Sequence, residues 1–139
     1  MDATGRTGRT GHSGSGFVFS SRSLDVLAGV TPPLRQVATQ ALEISRIDFA
    51  VISGRRNRAQ QRALVEAGKS LTMQSRHLTG EALDVVALDP ASGRADWSRA
   101  GLMEVAIAFH EAASRLGIRI AWGGSWRHFE DCPHIELRR

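Results

Sequence analysis

The chain has 139 residues, 42% hydrophobic and 23% charged, with a formal net charge of +4. That suits one globular domain with a single buried core. No apolar run nears the roughly 20 residues that cross a bilayer, no signal-peptide core opens the chain, and the single cysteine, Cys132, excludes an intrachain disulfide and a Cys-rich zinc knuckle.

The sequence pI near 10.9 overstates the basicity. There is no tyrosine and only one lysine, Lys69, so arginine holds the value high. The net charge permits a polyanionic partner such as cell wall or nucleic acid without requiring one.

Residues 1–16, "MDATGRTGRTGHSGSG", carry almost no apolar side chain and cannot offset the entropy of ordering, so they read as a flexible tail that includes His12. A single folded domain is expected over residues 17–139. Thr31 and Pro32 mark a helix start as N-cap and first helical residue, and Leu34, Val37, Ala38, Ala41 and Leu42 then recur on one face. "DFAVIS" reads as a buried strand closing at Ser53-Gly54. Asn57 and Gln60 resemble a capping box, opening a helix that Gly68 ends.

"ALDVVAL", residues 82–88, is a second strand followed by a turn, "DPASG". The longest helix is predicted from about Ser98 to Leu116, with Leu102, Val105, Ala106, Phe109, Ala113 and Leu116 facing the core, His110 at its edge, and Gly117 ending it. "IRIAW" and "HIEL" are two more strands. The order α-β-α-β-α-β-β, with few and short strands, predicts a small α+β domain.

The chemistry centres on "SRHLTGEALD", residues 75–84. His77 precedes the strand, whereas Asp84 lies on it and shares a face with Val86 and Leu88. A carboxylate on such a face must be paired, hydrogen-bonded or metal-bound. The residues leave open both a cation and a salt bridge to one of the seventeen arginines.

At the C-terminal end, "HFEDCPHIELRR" places Asp131 three residues before His134, which begins a strand. Two histidines and a carboxylate form a common zinc set in hydrolases, leaving a fourth position for water. His77, Asp84 and His134 can supply that set. Asp131 is then placed to take a proton from the water.

These blocks resemble the zinc D-alanyl-D-alanine carboxypeptidase-like peptidases and their phage relatives. The first matches Ser-x-His-x-x-Gly-x-Ala-x-Asp at Ser75, His77, Gly80, Ala82 and Asp84. The second matches Trp-Gly-Gly-x-Trp and Asp-x-Pro-His at Trp122, Gly123, Gly124, Trp126, Asp131, Pro133 and His134. "SGRRNRAQQRALVEAGKS" is similar to the Ser-Gly-x-Arg…Gln…Gly-Lys-Ser segment.

The resemblance is nearest to the phage L-alanyl-D-glutamate peptidases, endolysins that cut peptidoglycan stems. It implies a small antiparallel sheet packed with about three helices, as in hedgehog and D-alanyl-D-alanine peptidase domains. It also implies one Zn2+ held by His77, Asp84 and His134, with Asp131 as general base and Arg56 stabilising the oxyanion. Arg55 and Arg58 flank Arg56 and leave open which side chain enters the site, and Cys132 offers a thiolate beside the base.

Around this core, Ser75 either bonds near the site or caps its own turn. Trp122 and Trp126 either line a groove or fill the core, His128 is a candidate substrate contact, and Glu136 shares the face of His134. The resemblance further implies action on peptidoglycan stem peptides, no nucleic acid and no membrane insertion. A monomer is expected, made in the host cytoplasm and reaching the wall from the periplasmic side through a holin-type membrane partner. The alternatives are a D-alanyl-D-alanine carboxypeptidase or dipeptidase on the same fold, and a non-catalytic binding module stabilised by zinc. The latter would have no use for a base at Asp131.

Overall fold

The computed structural model describes residues 14–127 and 130–139; His12, His128 and most of the N-terminal tail lie outside them. Among the described residues, four α-helices and five strands follow one another as α1 (Ser21–Leu27), α2 (Pro32–Ile44), β1 (Phe49–Ser53), α3 (Arg58–Glu66), β2 (Ala82–Leu88), β3 (Ala95–Asp96), α4 (Arg99–Leu116), β4 (Ile120–Trp122) and β5 (His134–Leu137). Short 3-10 turns occupy Arg76–Thr79 and Gly123–Ser125. The expected α+β class is borne out, with one helix and one short strand more than the sequence suggested.

The unforeseen helix, α1, is seven residues long and buries only Ser23 and Leu27, too little for a periodic signal. Its start is fixed by Ser20, whose hydroxyl accepts from the Ser23 amide at 3.1 Å. Ser23 in turn accepts the Val51 amide at 3.0 Å, fastening the helix to β1.

Helix α2 buries the five residues the periodicity selected. Thr31 stands at its N-cap, but the hydroxyl makes no capping bond; its amide instead donates to the Gly80 carbonyl at 2.9 Å. The Asn57–Gln60 capping box forms as expected. Helix α4 runs from an N-cap at Ser98 to Gly117, a left-handed C-cap with φ +71. Leu116 lies at the rim, 37% exposed, instead of in the core. It is the last residue of the helix, next to the left-handed Gly117.

All the strand pairings are antiparallel, in the order β1-β2-β5-β4, with β3 on the flank of β2. Leu83, Val85 and Ala87 of β2 join Phe49, Phe109, Leu34, Leu102 and Ile135 in the core, where α4 packs on β2 and α2 on α4. Alternation turns Asp84 to the other face. Register does the rest: Asp84 pairs directly with His134, and Ala82 with Glu136. Ser15 belongs to the fold as well, since its hydroxyl and amide bond the carbonyls of Leu42 and Glu43.

Candidate metal centre

Two donors come from paired strands and the third from the turn beside them. The 3-10 turn Arg76–Thr79 begins at Ser75, whose hydroxyl accepts from the His77 amide at 3.1 Å. It ends at Gly80, where φ is +76 and a Cβ would stand 2.9 Å from the Gly29 carbonyl oxygen. Ser75 therefore caps its own turn, the plainer of its two readings. His77, 1% exposed, is swung inward and its Nδ1 donates to the Gly54 carbonyl at 2.7 Å.

That bond fixes the tautomer, leaving the Nε2 lone pair facing the sheet. Across from it, His134 Nε2 donates to Glu136 Oε1 at 2.9 Å, which leaves Nδ1 facing inward. The two inner nitrogens are 3.2 Å apart, and each is 3.4 Å from Asp84 Oδ1. Two lone pairs and a carboxylate oxygen at that spacing repel unless a proton or a cation sits among them.

Asp84 Oδ1 is buried without a hydrogen-bond partner, while Oδ2 accepts from Arg56 Nη2 at 2.9 Å. One donor atom from each of His77, Asp84 and His134 falls within 4.8 Å of the others. This set suits a divalent metal with a preference for nitrogen and oxygen donors. Cys132 is not among these donors; it packs against the core, with its thiol 3.6 Å from Arg99 Nη1.

The electrostatics follow from the same contacts. Burial works against charge on Asp84, but the His134 and His77 imidazoles, each with a ring nitrogen 3.4 Å from Oδ1, outweigh it and hold the carboxyl well below the usual range. Burial likewise opposes charge on His134, yet the neighbouring Asp84 carboxylate and the bond to Glu136 lift it to about 9. In the metal-free chain a proton thus takes the cation's place. Asp131, with Oδ2 3.8 Å from His134 Nδ1, is pushed upward by its burial and by the Asp84 charge. A carboxylate so shifted is a better proton acceptor than a free one.

A cleft of about 470 Å³ opens over the cluster, lined among others by Arg56, Lys69, Leu71, Trp126, Asp131 and Glu136. The two tryptophans divide the roles foreseen for them. Trp122 is 8% exposed, in the core, and donates to the Cys132 carbonyl, whereas the Trp126 ring lies 5.0 Å from that of His134 at the cleft wall. Gly123 and Gly124 make room for this arrangement, because a Cβ on them would collide with the Asp131 backbone and the Trp122 ring respectively.

Of the three clustered arginines, Arg56 enters the site. Its Nη1 also donates to Gln61 Oε1 at 3.2 Å, and its Nη2 to Ser53 at 3.3 Å. Gln61 went unnoticed in the sequence. It is 0% exposed, and its Nε2 donates to Ser70 Oγ and the Thr72 carbonyl, tying the cleft wall to Arg56. The available signal was a polar residue one turn before Leu64 and Val65, on the apolar side of α3. Arg76 was also missed; it braces Glu136 Oε2 at 3.3 Å.

A crystal structure of the Serratia marcescens L-Ala D-Glu endopeptidase ChiX has the same fold, with a TM-score of 0.80 and 42% identity over 87% of this chain and 90% of that one. Fold and site together define a peptidase. The model of the family described as phage L-alanyl-D-glutamate peptidase matches residues 15–138. The L-alanyl-D-glutamate peptidase of Escherichia phage T5 is 35% identical over 88% of this chain and 90% of its own length. That of Listeria phage A118 is 34% identical over 86% of this chain, which spans 42% of that longer relative. The chain belongs to the phage L-alanyl-D-glutamate peptidase family.

Proposed function

We propose that this peptidase is a zinc enzyme that hydrolyses the L-alanyl-D-glutamate bond of peptidoglycan stem peptides and so lyses a phage's host cell. The observation that carries the metal reading is Asp84 Oδ1, a buried carboxylate oxygen with no hydrogen-bond partner, facing two imidazole nitrogens whose outer atoms are already bonded. The likeness to peptidases named for this bond supports the substrate.

His77, Asp84 and His134 would hold one Zn2+, which when bound acidifies a water and polarises a carbonyl. Asp131 accepts the proton of the attacking water and returns it to the leaving amine, a task suited to its upward-shifted carboxyl. Arg56 lines the cleft beside Asp84 and directs positive charge at the oxygen that becomes anionic during attack. Trp126 offers a flat wall for the peptide. Ser75 also lines the cleft wall, but its hydroxyl is engaged in capping the His77 turn; His128, the other candidate substrate contact, lies outside the described residues.

The catalytic unit works as a monomer, made in the host cytoplasm and delivered to the wall by a holin-type membrane partner. No helix among the described residues is long and apolar enough to cross a membrane.

Digestion of purified peptidoglycan with and without chelator, followed by mass spectrometry of the new termini, tests the reading. New N-terminal D-glutamate that disappears on chelation is expected. Released D-alanine would move the activity to the D-alanyl-D-alanine bond, and chelator-resistant cleavage would remove the metal from the mechanism.

A further inference from the structure

Residues 69–72, 74 and 75 line the cleft together with Trp126, and this segment is held in place at several points. Gly68 turns the chain with φ +74, and the Lys69 and Ser70 amides donate to the Leu64 carbonyl at 2.8 and 3.2 Å. Buried Gln61 then binds Ser70 and Thr72 from beneath. Lys69 therefore projects from a fixed backbone at the edge of the site.

Among the described residues, the arginine and lysine side chains that line this cleft are Arg56, Lys69 and Arg76. Arg56 is engaged by Asp84 at 2.9 Å. Arg76 lies between Glu136 Oε2 at 3.3 Å and Glu81 Oε1 at 3.6 Å. Lys69 alone has no carboxylate partner among the described residues, although the cleft also holds Asp131 and Glu136.

Substrate chemistry supplies the missing partner. In an L-alanyl-D-glutamate bond the glutamate nitrogen is the leaving amine. Glutamate has two carboxyl groups, and where the γ-carboxyl carries the next residue, the free α-carboxylate sits on the carbon bonded to the scissile nitrogen. Brought near Asp131, that anion needs its own counter-charge.

We propose that Lys69 is the specificity residue for this carboxylate, pairing with it on the leaving-group side of the cleft. This assignment rests on the L-alanyl-D-glutamate reading and extends it, since it predicts discrimination between an acid and its amide at that position. A charge-assisted bond to an ammonium strengthens binding of the acid, and the neutral carboxamide forgoes that gain.

The test compares two stem peptides that differ only in this group, free carboxylate against carboxamide, with the metal-loaded protein. The readout is the acid-to-amide ratio of kcat/KM. The wild type is expected to favour the acid about tenfold. Lys69→Met should bring the ratio near one, Lys69→Arg should keep the preference, and Lys69→Glu should reverse it. Thermal melts of each variant confirm folding.

A Lys69→Met protein that keeps the wild-type ratio overturns the assignment. A wild type that cuts both peptides equally well overturns it too, while leaving the proposed bond intact. A wild type that cuts neither peptide overturns the proposed bond and this assignment together.

Discussion

Asp84 divides its two oxygens between different tasks. Oδ2 is held by Arg56 at 2.9 Å, and Oδ1 faces His77 and His134. The two readings the sequence left open for this carboxylate, salt bridge and metal ligand, are therefore compatible: the arginine aims the oxygen that the metal would bind. Removing the charge of Arg56 by Arg56→Ala should cost roughly a hundredfold or more in kcat. It should also weaken zinc retention in equilibrium dialysis, because Asp84 is then free to rotate. Asp131 differs in that it need not hold the metal. Asp131→Asn should lower kcat by about 10²–10⁴-fold while metal analysis still finds one zinc per chain. If that variant keeps lytic activity, the proton is handled by another group.

At the scale of elements, the site is a product of antiparallel register. One residue of slip between β2 and β5 would send Asp84 or His134 to the core face. That alternation was readable in "LDVVAL" and "HIEL", as were the helix faces, because each depends on neighbours in sequence. The network behind the site was not. Gln61 is buried by the segment 69–75, which returns after Gly68, and the carbonyl that orients His77 belongs to Gly54, twenty-three residues away. Contacts of this kind depend on how loops fold back and have no period. Gln61→Leu removes its three hydrogen bonds, to Arg56, Ser70 and Thr72, so a loss of about 2–3 kcal/mol is expected in urea melts. Hydrogen exchange should rise in residues 69–75 before it rises in β2.

For the whole molecule, stability and metal loading are linked through one proton. His134 has a folded pKa raised to about 9 from 6.5. Its protonation therefore stabilises the metal-free fold fully below pH 6.5, and that contribution disappears as pH rises through 9. The melting temperature of chelator-treated protein should fall by several degrees across this window. Zinc-loaded protein should not show that fall, since the cation displaces the proton, and loading at pH 7 should release protons measurable in weak buffer. A flat pH profile for the metal-free protein would show that His134 is not the proton's seat.

The pairing of Asp84 with His134 also has a kinetic meaning. The two strands are neighbours in space but are separated along the chain by β3, α4 and β4. A nascent chain that has made everything up to β4 holds only His77 and Asp84, and two donors capture a metal poorly. The centre closes only when β5 slots between β2 and β4, so the step that completes the sheet also supplies the third donor. No partly folded form that lacks this strand can be an active hydrolase, and zinc uptake during refolding should coincide with the pairing of β5 with β2 and β4.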